Sequence, residues 1–262
     1  MYGIVNNKLM KSPVISAFDR GFLLGDGVFE TLRVVNDKIL FFDEHYNRLK
    51  DSLSFIEINI KLNKLKLKQN IIFLVKKNKL KDAKVRLSIS RGISNIGLSM
   101  KNSKPSIIIL CEKNKLLNQA NVVTYERIRQ FPRIKALSNL QSVMAKRHAD
   151  ENNADESIFV KHNLIGEGSY TNIFIVKDNI VITSYKNILN GITRQKVINL
   201  CKENKMKIQE KSIKVNELLN CDEAFLTCTT QGIIPIVSIN KRVKNIGKIT
   251  QLLIKLYGEL IE

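Results

Sequence analysis

The chain predicts an α+β (α/β) fold in two domains with a cleft between them. Strand-like and helix-like segments alternate through all 262 residues. A polar, irregular stretch at 112–120 divides them, giving a smaller N-terminal domain at 1–115 and a larger C-terminal one at 116–262. Hydrophobic residues make up 44% and charged residues 26%, ordinary proportions for a soluble chain with a real core.

The first half opens as a hairpin, 2–5 and 8–11, around Asn6-Asn7. The block Phe18-Asp19-Arg20-Gly21-Phe22-Leu23-Leu24-Gly25-Asp26-Gly27-Val28-Phe29-Glu30-Thr31-Leu32-Arg33 follows. Gly21, Gly25 and Gly27 are expected to supply backbone freedom, and 28–34 reads as a strand. Such a segment can aim side chains into a cleft or be an ordinary structural loop. A turn at Asn36-Asp37 leads into 39–42, and Asp43 stands where an N-cap belongs. Residues 44–55 then read as a helix with Leu49, Leu53 and Ile56 on one face. Between Lys61 and Lys84 lysines interleave with apolar residues, as on a wetted amphipathic helix. Strands at 84–90 and 106–111 complete this half.

The second half begins with a strand at 122–127 and a helix at 139–152 that carries Leu140, Val143 and Met144. Strands follow at 157–161, 172–176 and 180–183, the last two joined by Asp178-Asn179, a hairpin-turn pair. Thr193 is expected to cap a helix running to Asn204, and 224–227 reads as a short strand.

No apolar run approaches the roughly 18 residues of a membrane span, and residues 1–12 lack a signal-peptide core. A cytoplasmic protein is the expectation. Four scattered cysteines, without a Cys-x-x-Cys pair or clustered histidines, argue against a zinc site and a disulfide framework. The formal net charge of +19 raises the question of nucleic acid. The lysines are spread along the chain, and no RNA-recognition aromatic motif or zinc-finger spacing accompanies them. A solvated basic surface that attracts an anionic small substrate or cofactor is the preferred reading.

Three features of the second half can serve one chemistry. Lys135 stands alone between Pro132-Arg133-Ile134 and Ala136-Leu137; by itself it reads most simply as a surface charge. Glu167 is a carboxylate between Gly166 and Gly168, where a plain turn residue is the simpler reading. Asn190-Gly191-Ile192-Thr193 opens a helix whose free N–H groups would favour a phosphate, though a simple cap explains Thr193 as well. A reactive lysine, a lone carboxylate and a phosphate cradle are together what pyridoxal phosphate requires.

With those residues in place, the chain resembles the class IV aminotransferases, the fold-type IV pyridoxal phosphate enzymes with a D-amino acid aminotransferase-like architecture. Six blocks occur in the family's order. They are Asp19-Arg20-Gly21 with Gly25-Asp26-Gly27-Val28-Phe29-Glu30, Glu44-His45-x-x-Arg48-Leu49, Lys135-Ala136-Leu137, Glu167-Gly168-Ser169 with Asn172-Ile173-Phe174, Leu189-Asn190-Gly191-Ile192-Thr193-Arg194, and Asp222-Glu223-Ala224-Phe225-Leu226-Thr227. The resemblance implies that Lys135 forms the Schiff base and moves the substrate proton, and that Glu167 pairs with the pyridine nitrogen. It implies Arg48 as a bidentate phosphate donor, with Ile192, Thr193 and Thr229 on the same phosphate and Leu189 against the ring. A homodimer is implied too.

Within the family, branched-chain aminotransferases typically have glycine where this chain has Thr31. D-amino acid transaminases usually place tyrosine at Phe29 and carry an Arg-x-His carboxylate trap, yet 93–100 contains neither arginine nor histidine. Phe29 and Thr31 are therefore the candidate substrate residues. The expectation drawn from them is a 4-amino-4-deoxychorismate lyase that forms 4-aminobenzoate and pyruvate for folate biosynthesis. The alternative is an aminotransferase acting on D-amino acids or branched-chain L-amino acids. A basic nucleic-acid-binding protein is the remote alternative.

Overall fold

The computed structural model describes residues 1–100 and 103–262. It divides into two compact units, Met1–Lys115 with Ile134–Asn139, and Leu116–Arg133 with Leu140–Glu262.

The first unit contains β1 (Tyr2–Val5), β2 (Lys8–Lys11), α1 (Arg20–Leu24), β3 (Gly27–Val35), β4 (Lys38–Ile39), α2 (Phe42–Phe55), α3 (Lys64–Lys77), β5 (Asp82–Ile93) and β6 (Lys104–Lys113). Its six strands form an antiparallel sheet in the order β2-β1-β6-β5-β3-β4. Alternation sends Val28, Leu32 and Val34 of β3 and Val85, Leu87 and Ile89 of β5 to one face. There they form one core with Leu49 and Leu53 of α2 and Leu67, Ile71 and Leu74 of α3.

The glycine-rich block is a clamp as well as a lead-in. Asp19 caps α1 by accepting from the Gly21 amide and also receives the Ser90 hydroxyl. Asp26 receives Nε of both Arg20 and Arg91, and Arg20 reaches on to the carbonyls of Gly97, Leu98 and Ser99. Of the three glycines expected to free the backbone, Gly25 alone adopts a left-handed conformation, at φ 66°, where it ends α1. Gly21 lies inside the helix. Gly27 is needed for room: a Cβ there would meet the Ile89 carbonyl at 2.5 Å and Leu137 Cδ1 at 2.6 Å.

The second unit contains β7 (Ala120–Glu126), α4 (Leu140–Glu151), β8 (Glu156–Lys161), β9 (Leu164–Gly168), β10 (Asn172–Lys177), β11 (Ile180–Thr183), α5 (Ile192–Glu203), β12 (Ile208–Glu210), β13 (Ile213–Lys214), α6 (Val215–Leu219), β14 (Glu223–Cys228), β15 (Gly232–Ile239), β16 (Arg242–Val243) and α7 (Lys248–Ile261). Nine strands run in the order β12-β11-β10-β14-β15-β7-β8-β9-β13, and β16 pairs with β15. The pairs β11–β12, β15–β7 and β7–β8 are parallel, the rest antiparallel.

Several local expectations change. Phe41, left-handed at φ 52°, occupies the cap of α2, and Asp43 sits in the first turn, where its charge still suits the helix dipole. Of the residues expected to form a strand over 39–42, Ile39 ends β4, Leu40 and Phe41 form a turn, and Phe42 begins α2. Thr193 lies inside α5, and Gly191 is its cap, because a Cβ at Gly191 would meet Asn172 Oδ1 at 2.0 Å. On α4 the buried residues are Ser142, Ala145 and Ala149, while Leu140, Val143 and Met144 are exposed. Among the described residues no helix is long and apolar enough to cross a membrane.

Candidate active site

In the first unit the site is built on the start of β3. The Phe29 amide donates to the Lys135 carbonyl at 2.8 Å, and the Leu137 amide donates to the Gly27 carbonyl at 2.9 Å. These bonds lay the short Lys135-Ala136-Leu137 segment against β3, with Val28 and Ala136 paired as an antiparallel bridge. Lys135 Nζ lies 4.7 Å from the centroid of the Phe29 ring. Register places Thr31 opposite Arg86 and Phe29 opposite Ser88, so these four share one face of the sheet. The Arg86 guanidinium stacks on Phe29, with Cζ 3.7 Å from the same centroid.

Glu30 points to the opposite, helix-covered face. Arg48 Nε and Nη2 donate to its two carboxylate oxygens, each at 2.7 Å, and His45 Nδ1 stands 2.7 Å from Oε2. Burial pushes the Glu30 carboxyl up, but the Arg48 charge and hydrogen bonds, with His45, outweigh it and bring it to about 2. Burial pushes the His45 imidazole down, and the nearby positive charges of Arg48 and Lys135 act the same way. His45 is therefore neutral near pH 7 and donates its Nδ1 hydrogen to Glu30. The planar fork of Arg48, which the sequence reading aimed at a phosphate, faces Glu30.

In the second unit Glu167, the last residue but one of β9, lies in a buried cluster. Its Oε1 accepts from Arg129 Nη1 at 2.5 Å, and its Oε2 accepts from the Leu189 amide at 3.0 Å and Asn172 Nδ2 at 3.1 Å. Asn172 also donates to the Leu189 carbonyl at 2.9 Å. The cluster fixes the carboxylate and ties it to the loop that enters α5. Arg129 keeps Glu167 beside a positive charge, which favours the ionised form.

The start of α5 carries Ile192 and Thr193, whose amides belong to the turn that no earlier carbonyl can reach. No side chain caps this helix. Thr193 Oγ1 is buried and, among the described residues, has no hydrogen-bond partner. A buried hydroxyl left over at a helix N-terminus fits a phosphate. Thr229 lies in the turn between β14 and β15.

The structure thus gathers Glu167, Leu189, Ile192 and Thr193 in one region of the second unit. It gathers Lys135, Phe29 and Thr31 on one β3 region of the first, with Arg48 on the far side of that strand. Sequence reasoning missed Arg129, Asn172, Glu30, His45 and Arg86 as functional partners. Glu30, His45 and Asn172 stood inside quoted motifs, but a side chain's partner is not written in its own motif. Arg86 sits in a strand whose alternation was visible, and the register that brings it to Phe29 was not.

The model of the family described as amino-transferase class IV matches residues 27–239. The chain is 34% identical over 248 residues to a D-alanine aminotransferase of Bacillus licheniformis, covering 90% of this chain and 88% of that protein. It is 35% identical over 256 residues to a Methanocaldococcus jannaschii protein provisionally described as a branched-chain-amino-acid aminotransferase, covering 92% and 89%. Among solved structures, a branched-chain aminotransferase of Thermoproteus uzoniensis with norvaline aligns with a TM-score of 0.93 at 26% identity, over 100% of this chain and 94% of that one. A Legionella pneumophila protein provisionally described as a 4-amino-4-deoxychorismate lyase aligns at 0.89 and 27%, over 95% and 96%. The chain belongs to the class IV aminotransferase family, and its α+β fold is that of the fold-type IV enzymes. It is an enzyme of a family whose cofactor is pyridoxal phosphate.

Proposed function

We propose that this chain is a pyridoxal phosphate-dependent aminotransferase of amino acids in which Lys135 is the catalytic lysine. The observation that carries the lysine's role is its mounting. Two main-chain hydrogen bonds hold its segment to β3 while Nζ lies over the Phe29 ring. The amine of Lys135 would take the proton from the amine-bearing carbon and return it elsewhere on the same framework. The donor then leaves as a 2-oxo acid, and its amino group passes to a second 2-oxo acid.

The bound cofactor supplies an electron sink for the charge left by proton removal. Glu167, ionised beside Arg129, would keep the pyridine nitrogen protonated, and Leu189 would press on the ring. The amides of Ile192 and Thr193, the Thr193 hydroxyl and Thr229 would bind the phosphate. Arg48 would add its positive charge while Glu30 holds its fork.

Support for transfer comes from the 34% identity to a D-alanine aminotransferase across 90% of this chain. A second reading, the 4-amino-4-deoxychorismate lyase, is favoured by Phe29, Thr31 and the lack of arginine and histidine in 93–100. Product analysis separates the two. Holoenzyme is given D-alanine or L-leucine with 2-oxoglutarate, and separately aminodeoxychorismate. The proposal expects amino-group transfer; 4-aminobenzoate formed with no transfer to 2-oxoglutarate overturns it.

The working unit we propose is a homodimer. Phe18, Phe22, Ile96, Leu98 and Met100 are all exposed, Phe22 at 68% and Leu98 at 81%. Arg20 ties α1 to the carbonyls of 97–99, so these side chains sit on adjoining pieces of chain. Light scattering of the holoenzyme is expected to give twice the chain mass.

A further inference from the structure

A cavity of about 130 Å³ opens in the second unit, and every residue around it belongs to that unit. Glu167, Leu189, Ile192 and Thr193 do not line it. Arg127, Arg129, Lys161, His162 and Lys186 do, with no aspartate or glutamate among the lining residues. Sheet register accounts for the gathering. Glu126 pairs with Val160 across the parallel strands β7 and β8, so Arg127 and Lys161 follow side by side where the ladder ends. The turn His162-Asn163, left-handed at φ 49° and 61°, returns the chain to β9, and Lys186 arrives just after β11.

These cations lack acids. Elsewhere in the unit Lys177 pairs with Asp222 at 2.8 Å, Lys211 with Glu217 at 2.6 Å and Arg194 with Glu210 at 2.6 Å. Among the described residues Arg127, Lys161 and Lys186 make no ion pair. Arg127 Nη1 donates to the Glu126 carbonyl at 2.9 Å, and Lys186 Nζ lies 5.3 Å from the centroid of the Tyr185 ring. Arg129 is the buried member, with its side chain 9% exposed. Glu167 holds its Nη1; among the described residues no hydrogen bond engages its Nε or Nη2. A buried guanidinium with N–H groups to spare is a strong donor to an anion. Cations gathered beside apolar wall residues such as Ile128 and Leu164 focus the field on the same space.

The donors come from three separate stretches of chain: 127–129, 161–162 and Lys186. A carboxylate offers two oxygens in one plane, whereas a phosphate group offers at least three around a tetrahedron and up to two charges. At about 30 Å³ of liquid per water, the cavity has room for about four waters or one such group. We propose that it is a second anion site, which takes a phosphate group, free or carried on a small organic molecule. It is distinct from the start of α5, to which the cofactor's phosphate is assigned. Arg129 serves the cavity and Glu167 at once, so an anion bound there draws on the charge that keeps Glu167 ionised and lowers turnover. That link to turnover rests on the reading of Glu167 as the partner of the pyridine nitrogen; the site itself does not.

The test titrates holoenzyme calorimetrically with inorganic phosphate at low ionic strength. Cofactor content is read separately from visible absorbance, so failure of the cofactor reading shows there and failure of this site shows in the titration. Wild type is expected to bind one phosphate per chain. The double variant Lys161→Met/Lys186→Met should bind it about tenfold or more weakly. Lys66→Met/Lys68→Met, which removes the same charge from exposed positions on α3, should bind it as wild type does. If the first double variant melts early, Arg127→Gln is the second variant and should also weaken binding. Glycerol 3-phosphate binding at least as tightly marks an organic phosphate as the ligand; binding of inorganic phosphate alone marks the free ion. Saturating phosphate should lower kcat in wild type and leave kcat unchanged in Lys161→Met/Lys186→Met. Equal weakening by the two double variants, or acetate bound as tightly as phosphate, overturns the site. Phosphate bound with no change in kcat overturns its link to Glu167.

Discussion

Arg48 closes its guanidinium fork on Glu30, Nε to Oε1 and Nη2 to Oε2, both at 2.7 Å. Arg48 comes from α2 and Glu30 from β3, so the pair locks the helix to the strand that carries Phe29. Glu30 is 1% exposed. At that depth an ion pair adds little over an apolar substitute, but losing one partner is costly.

Arg48→Met should therefore cost about 3–5 kcal/mol of stability without cofactor present. Arg48→Lys keeps a cation near Glu30 and should cost less. Denaturant unfolding of the cofactor-free proteins checks the order. A cofactor-free Arg48→Met as stable as wild type would show that Glu30 does not depend on this arginine.

The same site gives the fold an acid-sensitive step. Glu30 and His45 both hold protons less tightly in the fold than in the unfolded chain. Their contribution is thus fully present above about pH 6.5 and is lost as pH falls, first through His45 and then through Glu30. The Glu30 part, from 4.5 to about 2, is on the order of 3 kcal/mol. Unfolding midpoints should drop between about pH 7 and pH 5 in wild type and stay level over that interval in His45→Gln. Parallel declines in the two proteins would remove His45 from the account.

Thr193→Val should separate folding from cofactor binding. The hydroxyl has no partner among the described residues, so replacing it with a methyl should leave the cofactor-free protein unchanged or slightly more stable. Affinity for pyridoxal phosphate should fall by about 1.5–3 kcal/mol, the range for a hydrogen bond to a charged group. Titration of cofactor into both proteins reads this, and equal affinities would take the hydroxyl away from the phosphate.

Arg129→Met should lower turnover by leaving Glu167 Oε1 without its cation and raising the carboxyl's affinity for a proton. The expected signature is a turnover that recovers as pH rises, because higher pH restores the Glu167 carboxylate. A pH profile identical to wild type would make Arg129 a packing residue only.

The layout of strands was legible wherever alternation and a turn pair coincided. The 180–183 strand and the hairpin at Asn6-Asn7 needed nothing beyond local chemistry. Helix starts were harder, because Phe41 and Gly191 occupy caps without any side-chain cap hydrogen bond, Gly191 for want of room beside Asn172. The apolar residues of α4 misled, since periodicity marks a face without saying what covers it. In the site, lysine, glutamate and threonine were visible through motif order. Arg129 and Arg86 were not, because their partners stand 38 and 57 residues away, reached from the loop after β7 in one case and through the β3–β5 register in the other.

The central claim is that Lys135 carries the cofactor, and the most direct measurement is to trap it there. Protein loaded with pyridoxal phosphate is reduced with borohydride, digested, and mapped by mass spectrometry. The account predicts the phosphopyridoxyl group on the peptide containing Lys135, and no stable labelling or visible band in Lys135→Ala. Label on a different lysine, or a wild-type protein that takes up no cofactor, would contradict it.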